Sequence, residues 1–184
     1  SSSMRLGLLY QHSHTLEFYY TYDNSDKNNT PSMGQVNIPA TMPDDTKSRQ
    51  NSAALDGVQF DRSQSSGHAV TATWDYNDEL TIKSITAVRE IDYEDGSDYD
   101  GFDLLGFHTI RRVDHQQTSQ ELQFIGNIND VNYISGLFYL NEESNVDNPF
   151  ILGFGTVNNF YGVDATSLAA YANAEYNLTD KLVL

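Results

Sequence analysis

Cysteine is absent from the 184-residue sequence, so disulfide bonds and thiolate metal sites are excluded. No run approaches 18 consecutive apolar residues, which excludes a transmembrane helix. Basic residues are scarce, with 10 Lys and Arg against 26 Asp and Glu and a formal net charge of -16. Such a chain repels phosphate backbones and lacks the Lys and Arg clusters that release counterions. We therefore expect no nucleic-acid partner.

Sequence motifs for catalysis are also missing. No G-x-S-x-G, H-E-x-x-H or P-loop pattern occurs anywhere in the chain. Scattered Ser, His and Asp residues in loops are too common to nominate a triad. We expect that the protein is not an enzyme.

Alternation of apolar and polar side chains is the strongest pattern that the sequence does contain. Strict alternation predicts strands with one apolar and one polar face, and it occurs at Leu16–Asp23, His68–Tyr76 and Ser167–Asn177. Less regular runs lie at 5–11, 80–92, 116–125, 132–141 and 181–184. The pattern predicts about eight strands. The mean hydropathy of -0.51 does not argue against a membrane protein, because alternating strands average to neutral.

The connections between these runs alternate between short and long. The short ones are 12–15, 77–79, 126–131 and 177–180, and the long loops are 24–67, 93–115 and 142–166. All four prolines fall inside the long loops, as expected if the runs between them are hydrogen-bonded strands. Short turns on one rim and long outer loops on the other are typical of membrane barrels. The predicted fold is all-β, with antiparallel up-and-down strands in four hairpins that form a partial transmembrane β-barrel.

In such a barrel the polar strand faces line a hydrated lumen and the apolar faces meet lipid. Six aromatic residues lie within about two residues of a short turn and predict a girdle at one membrane interface. They are Tyr10, Trp74, Tyr76, Phe124, Tyr133 and Tyr176. The alternative is that tyrosine and tryptophan are simply good strand formers.

Three blocks of the sequence resemble the barrel domain of TonB-dependent receptors. LTIKSITAVRE at 80–90 resembles the family's LKSITAYRE strand, and TSQELQF at 118–124 with YISGLFY at 133–139 resembles its SQELQL and YVAGLFYF hairpin. ATSLAAYA at 165–172 with YNLTDKL at 176–182 resembles its TSYAAFGQ and YNLTDKL strand and turn. The blocks occur in the family's order and span nearly the whole chain.

The resemblance implies that residues 1–184 are a wall segment of a larger receptor. The family's plug, TonB box and closing C-terminal strand have no counterpart here, and receptors of this kind close with about 22 strands. The implied function is active import of a scarce solute, such as a siderophore, cobalamin or an oligosaccharide, across the outer membrane of a Gram-negative bacterium. The implied partners are outer-membrane lipid, a small-molecule ligand and, through parts outside this chain, the TonB complex.

The acidic run from Asp92 to Asp103 is the densest cluster of charge. Oxygen ligands at close spacing with intervening glycines suit a hard cation, so the sequence nominates Ca²⁺ at Asp95, Asp98, Asp100 and Asp103. The run lacks EF-hand spacing, and the alternative is a solvated loop. Five histidines, at 12, 14, 68, 108 and 115, suggest a transition-metal site. His12 and His14 would share a strand face, but they lie in a predicted short turn, where exposed histidine is unremarkable.

The long loops carry aromatic and amide side chains that suit capture of a partly hydrophobic or sugar-like ligand. The candidates are Phe102, Phe107, Phe150, Phe154, Asn158, Asn159, Phe160 and Tyr161. The alternative is a mobile loop whose aromatics are incidental.

Two other functions remain open from the sequence. One is a complete eight-stranded outer-membrane barrel that serves as an anchor or adhesin, since eight strands can close around a side-chain-filled interior. The other is a soluble all-β carbohydrate-binding module, which would require a dry interior between two sheets.

Overall fold

The computed structural model describes residues 1–31, 55–101, 105–179 and 182–183. Among these residues no helix is long and apolar enough to cross a membrane. The strands are β1 Ser2–Gln11, β2 Leu16–Asn29, β3 Phe60–Asn77, β4 Leu80–Asp98, β5 Phe107–Ile128, β6 Val131–Asp147, β7 Phe150–Leu152, β8 Gly155–Val157, β9 Phe160–Thr179 and β10 Leu182–Val183. The fold is all-β, as the alternation predicts.

The strands form one up-and-down sheet. Its order is β1-β2-β3-β4-β5-β6-β9-β10, and every neighbouring pair is antiparallel. Strands β7 and β8 form a small side hairpin that pairs with the start of β5. The predicted path of eight strands in four hairpins is therefore confirmed. Within the described ranges β1 pairs only with β2 and β10 only with β9, so the sheet is open.

The strands extend well into the regions that the sequence assigned to loops. β2 continues to Asn29, β4 to Asp98 and β6 to Asp147, so the predicted loop bounds of 24–67, 93–115 and 142–166 are too wide. The strands return at Phe60, Phe107 and Phe160. These extensions are polar at most positions and carry only scattered apolar residues such as Ile110, Val113 and Val163. The period-two signal is therefore lost while the backbone ladder continues. Pro31 and Pro149 lie outside the strands, as predicted, and Pro39 and Pro43 lie outside the described residues.

The register separates the sheet into an apolar face and a polar face, because directly paired residues point to the same side. One row of the apolar face is Tyr10, Phe18, Ala72, Ser84, Leu122, Leu137 and Ala170. The next row of the polar face is Gln11, Glu17, Thr73, Lys83, Gln123, Gly136 and Tyr171. We call the stretch of the apolar face from the short turns to the row of Leu6, Tyr22, His68 and Val88 the apolar band.

The six aromatics near the short turns all lie on the apolar face. Tyr10, Trp74 and Phe124 belong to its rows directly, and Tyr133 and Tyr176 follow at even spacing along β6 and β9. Tyr76 follows an irregularity in β3, and its ring packs edge-on against Trp74 with centroids 5.2 Å apart. Strand propensity alone would distribute these rings over both faces. Their common side supports the girdle interpretation.

The sheet has no hydrophobic core of its own. None of the described hydrophobic side chains is buried. The chain exposes 12757 Å², whereas a compact protein of 20.7 kDa exposes about 8,900 Å². Hydrophobic burial is the dominant favourable term in folding, so the apolar band must be covered by something other than this chain's described residues.

Candidate functional site

Beyond the apolar band, the formerly apolar side of the sheet becomes polar towards the long-loop ends of the strands. One row of the formerly apolar side there reads Asp26, Gln64, Asp92, Asp114 and Asn145. The buried polar side chains of the described chain all lie at this rim, at the adjoining ends of β4 and β5: Asp95, Ser97, Asp98, His108 and Thr109. Burial of polar groups at one place requires specific partners, which makes the rim the candidate site.

Asp98 and His108 are brought together by the last pair of the β4–β5 ladder. Strand β3 stops pairing with β4 at Phe60 and Gly96, so the residues before β3 pass beyond the end of that ladder. We call this segment, residues 55–59, the strap. The main-chain N–H groups of Asp56 and Gly57 in the strap donate to Asp98 Oδ2, at 3.3 and 3.4 Å.

The Asp98 carboxylate holds three pieces of chain together. Its side chain is fully buried, and its other oxygen, Oδ1, accepts hydrogen bonds from the N–H groups of Asp100 at 3.2 Å and Gly101 at 3.0 Å. Gly101 has a φ of 71°, a conformation that favours glycine. Asp98 thereby ties the strap, the end of β4 and the following turn. The Asp100 carboxylate accepts from the N–H groups of Gly106 and Phe107 and closes the same turn.

The His108 ring faces these carboxylates. Its Nε2 lies 2.8 Å from Asp56 Oδ1, 3.4 Å from Asp98 Oδ2 and 4.0 Å from Asp100 Oδ2. Although the first distance is short, Nε2 makes no hydrogen bond, so the ring nitrogen is not aimed at that oxygen. Gly57 packs over the ring, because a Cβ there would lie 3.1 Å from His108 ring carbons and from Asp98 Cβ.

Asp56, Asp98 and His108 together form what we call the rim cluster. One ligand atom from each lies within 4.8 Å of the others. Two carboxylates and an imidazole at such distances can hold a cation. The cluster contains no hydroxyl or thiol that could act as a nucleophile.

The structure describes three of the four residues nominated for calcium and places Asp95 apart from Asp98 and Asp100. Asp98 and Asp100 both approach His108, but Asp95 lies three residues from Asp98 along β4 and therefore faces the opposite side of the sheet. There Asp95 accepts a hydrogen bond from Arg111 Nε at 2.8 Å. Asp103 lies outside the described residues.

Arg111 is positioned between Asp95 and Tyr93. Desolvation works against the charged guanidinium, but hydrogen bonds with Tyr93 and Asp95 outweigh it and raise the pKa of Arg111. Burial also raises the pKa of Tyr93. This corner of the rim is a fixed ion pair, and its carboxylate is already occupied.

The described aromatic and amide ligand candidates differ in their surroundings. Phe107 and Phe150 pack edge-on at 5.6 Å, and Tyr99 joins them at 5.6 Å from Phe107. Phe154 lies between β7 and β8 and is 89% exposed. The remaining described candidates are Asn158, exposed before β9; Asn159, whose Nδ2 donates to Asn148 O at 3.2 Å; and Phe160 and Tyr161, successive residues of β9 on opposite faces. Phe102 lies outside the described residues.

Charged and polar side chains on the polar face, behind the apolar band, pair with one another. Arg89 Nη2 of β4 reaches across β3 to Asp23 Oδ1 of β2 at 2.9 Å, and it passes directly over Gly67. A Cβ at Gly67 would lie 2.7 Å from that nitrogen, so glycine is required for the pair. Tyr171 and Gln123 both donate to Glu121 Oε1, at 2.6 and 2.9 Å. The polar face thus carries satisfied ion pairs and hydrogen bonds suited to contact with water, beside apolar residues such as Leu9, Ile85 and Phe138.

The sequence nominated Asp98 as a metal ligand and His108 as one of five candidate histidines, but it did not bring them together and it missed Asp56. Asp56 fell within a long predicted loop, and His108 was one of five histidines with no metal pattern around it. Asp56 and His108 are 52 positions apart, and only the β3–β4–β5 register brings them together. The Asp56-Gly57 pair, which two residues separate from the start of β3 at Phe60, was a local turn signal that could have pointed to the strap.

Comparison with known proteins agrees with the architecture. The sequence matches no protein family model and no curated protein. Among solved structures, the fold is similar to the ferric yersiniabactin uptake receptor of Yersinia pestis, with a TM-score of 0.71 and 17% identity over 97% of this chain and 26% of the receptor. The chain therefore spans about a quarter of the length of that receptor. At this identity the likeness concerns the fold alone: the chain has the architecture of an open segment of a β-barrel wall.

Proposed function

We propose that this chain is part of the wall of a TonB-dependent outer-membrane receptor that imports a scarce solute. The observation that carries the proposal is the apolar band. It reaches across seven neighbouring strands, with a hydrogen-bonded polar patch of Ser84, Thr86 and Gln120 on β4 and β5. It ends in an aromatic girdle on the short-turn side and has no described hydrophobic core behind it. Lipid is the covering that such a face requires.

The height of the band can be compared with that of a membrane belt. From Leu16 to Tyr22 it covers six residue steps of β2, or roughly 20 Å along the strand at about 3.4 Å per residue. Strands of outer-membrane barrels are tilted by about 35–45°, so this stretch is roughly 15 Å tall, which is less than the apolar belt about 25 Å tall of such barrels. The proposal therefore rests on the apolar face and its girdle, and not on the height of the band.

The polar face suits the inside of a hydrated barrel. Its ionised groups pair across strands, as Arg89 does with Asp23, instead of packing against a second layer. A soluble binding module would cover one face with a dry interior, and the described residues contain none. A complete eight-stranded barrel would pair its first and last strands, and the described sheet is open.

We propose a ferric siderophore as the first solute to test, because the structurally similar receptor takes up ferric yersiniabactin. Cobalamin and oligosaccharides are the other members of the implied class. In this proposal the strands form the wall, the rim and its loops form the outer vestibule, and coupling to TonB takes place through other parts of the receptor.

The experiment is fractionation of cells that express the gene encoding this chain. We expect the product in the outer membrane, with a band that changes mobility on boiling, because folded barrels resist unfolding by detergent at room temperature. Growth on ferric siderophores in iron-limited medium, with and without the gene, tests the solute. A product that stays in the soluble fraction without a mobility shift contradicts the proposal. If the outer-membrane product shifts on the gel but growth does not differ, the protein is part of a barrel wall and a ferric siderophore is not its solute.

A further inference from the structure

We propose that Asp56, Asp98 and His108 bind a divalent transition-metal cation, with zinc as the ion that fits best. The ion would fasten the strap to the loop ends of β4 and β5. The inference concerns the rim alone and does not depend on what covers the apolar band.

The first support is the spacing of the ligand atoms. His108 Nε2 lies 2.8 Å from Asp56 Oδ1 and 3.4 Å from Asp98 Oδ2. Ligand atoms around a four-coordinate zinc with bonds of about 2.0 Å are roughly 3.3 Å from one another. The two distances from His108 are therefore close to those between ligands of one small ion, and the three ligand atoms lie within 4.8 Å of one another.

The second support is the state of the His108 ring nitrogen. The residue is 8% exposed, and Nε2 has no hydrogen-bond partner despite the two neighbouring carboxylates. A ring N–H that served an ion pair would point along the short contact to Asp56. A metal ligand instead points its lone pair at a position between the ligand atoms, which agrees with a short distance that lacks hydrogen-bond alignment.

The third support is preorganisation of Asp98. Both of its oxygens are fixed by main-chain N–H groups from the strap and from the turn after β4. Hydrogen bonds of this kind orient ligating carboxylates in metal sites. Two carboxylates with a neutral imidazole carry a charge of two minus, which a divalent cation neutralises.

The imidazole decides the class of ion. Calcium and magnesium select all-oxygen sites, whereas a nitrogen ligand beside carboxylates suits zinc and its neighbours. The Asp56 side chain is 32% exposed, so one side of the cluster is open to solvent. That opening gives the ion access and leaves a coordination position for water.

The test is a titration of the full product of the gene encoding this chain, purified in detergent micelles, with Co²⁺, whose visible absorption reports the number and type of ligands, followed by displacement with Zn²⁺. We expect one ion per chain and displacement by an equimolar amount of Zn²⁺ but not by a large excess of Ca²⁺. His108→Gln should lower the Zn²⁺ affinity more than about 100-fold, because even outer-shell changes cost 10–100-fold. Asp56→Asn gives a second variant outside every strand, in case the histidine variant misfolds.

His115→Gln is the matched control. His115 lies on the same strand, seven positions from His108, and pairs with Ile91 and Ser144. Its replacement should leave the Co²⁺ spectrum and the Zn²⁺ affinity unchanged. The proposal is overturned if Co²⁺ gives no ligand-field absorption, if His108→Gln and His115→Gln have equal effects, or if Asp56→Asn binds as wild type. If the His108→Gln variant still bound Ca²⁺, the cluster would be a calcium site with oxygen ligands and the zinc proposal would be wrong.

Discussion

The apolar band and the rim are parts of the same strands, yet they are built in different ways. In the band, side chains alternate between two environments, and none of the described hydrophobic residues is buried by the chain itself. At the rim, alternation stops and the buried polar side chains gather. The apolar band needs a covering that the described residues do not supply, whereas the rim is held by contacts within the chain. Local periodicity encodes the first, and long-range register encodes the second.

The sharpest way to break this contrast is a charge on the apolar face. Val70→Arg should lower the free energy of unfolding in lipid vesicles by about 2–4 kcal/mol, since Val70 lies within the apolar band. Thr71→Arg, one residue further on the same strand, faces the polar side and should change it by less than about 1 kcal/mol. Urea titration of vesicle-inserted protein measures both. Equal losses from the two variants would show that the faces are not distinct.

The claim that contacts within the chain hold the rim together is tested by Asp98→Asn. The substitution places an amide N–H₂ among main-chain N–H donors, and leaving such donors unsatisfied costs about 1–3 kcal/mol. We expect faster hydrogen exchange in residues 55–60, with no change in the band. Asp130→Asn, in the exposed turn at the opposite rim, is the control. Unchanged exchange in the strap after Asp98→Asn would mean that Asp98 does not hold it.

The smallest expected effect is a dependence of stability on pH, which arises from Asp92 at the rim beyond the apolar band. Desolvation and the facing charge of Asp114 raise the pKa of Asp92 above its ordinary value of 3.8. The folded state then binds the proton more tightly than the unfolded state, so stability falls as the pH rises through the window above 3.8. Asp92→Asn should flatten that slope, as measured by thermal unfolding at several pH values. A steeper dependence of thermal stability on pH in the variant would contradict a raised pKa of Asp92.

How far the sequence predicts the structure differs between the two regions for a physical reason. The segment Leu16–Asp23 has one lipid-suited and one water-suited face, so its strand, its neighbours and the short turns follow from period two. The segment from Glu94 to Asp98 is polar at nearly every position, and its strand is defined only by pairing with β5. The contact of Asp56 with His108 depends on where three strands end, which no local pattern records.

The central claim, that lipid covers the apolar band, is tested most directly through the single tryptophan. Trp74 lies on the apolar face in the girdle, so its fluorescence should be quenched strongly in vesicles made of brominated lipid. A variant with Trp74→Phe and Thr73→Trp moves the indole by one residue to the polar face and should lose most of that quenching. Equal quenching of the two proteins, or none in either, would contradict the account.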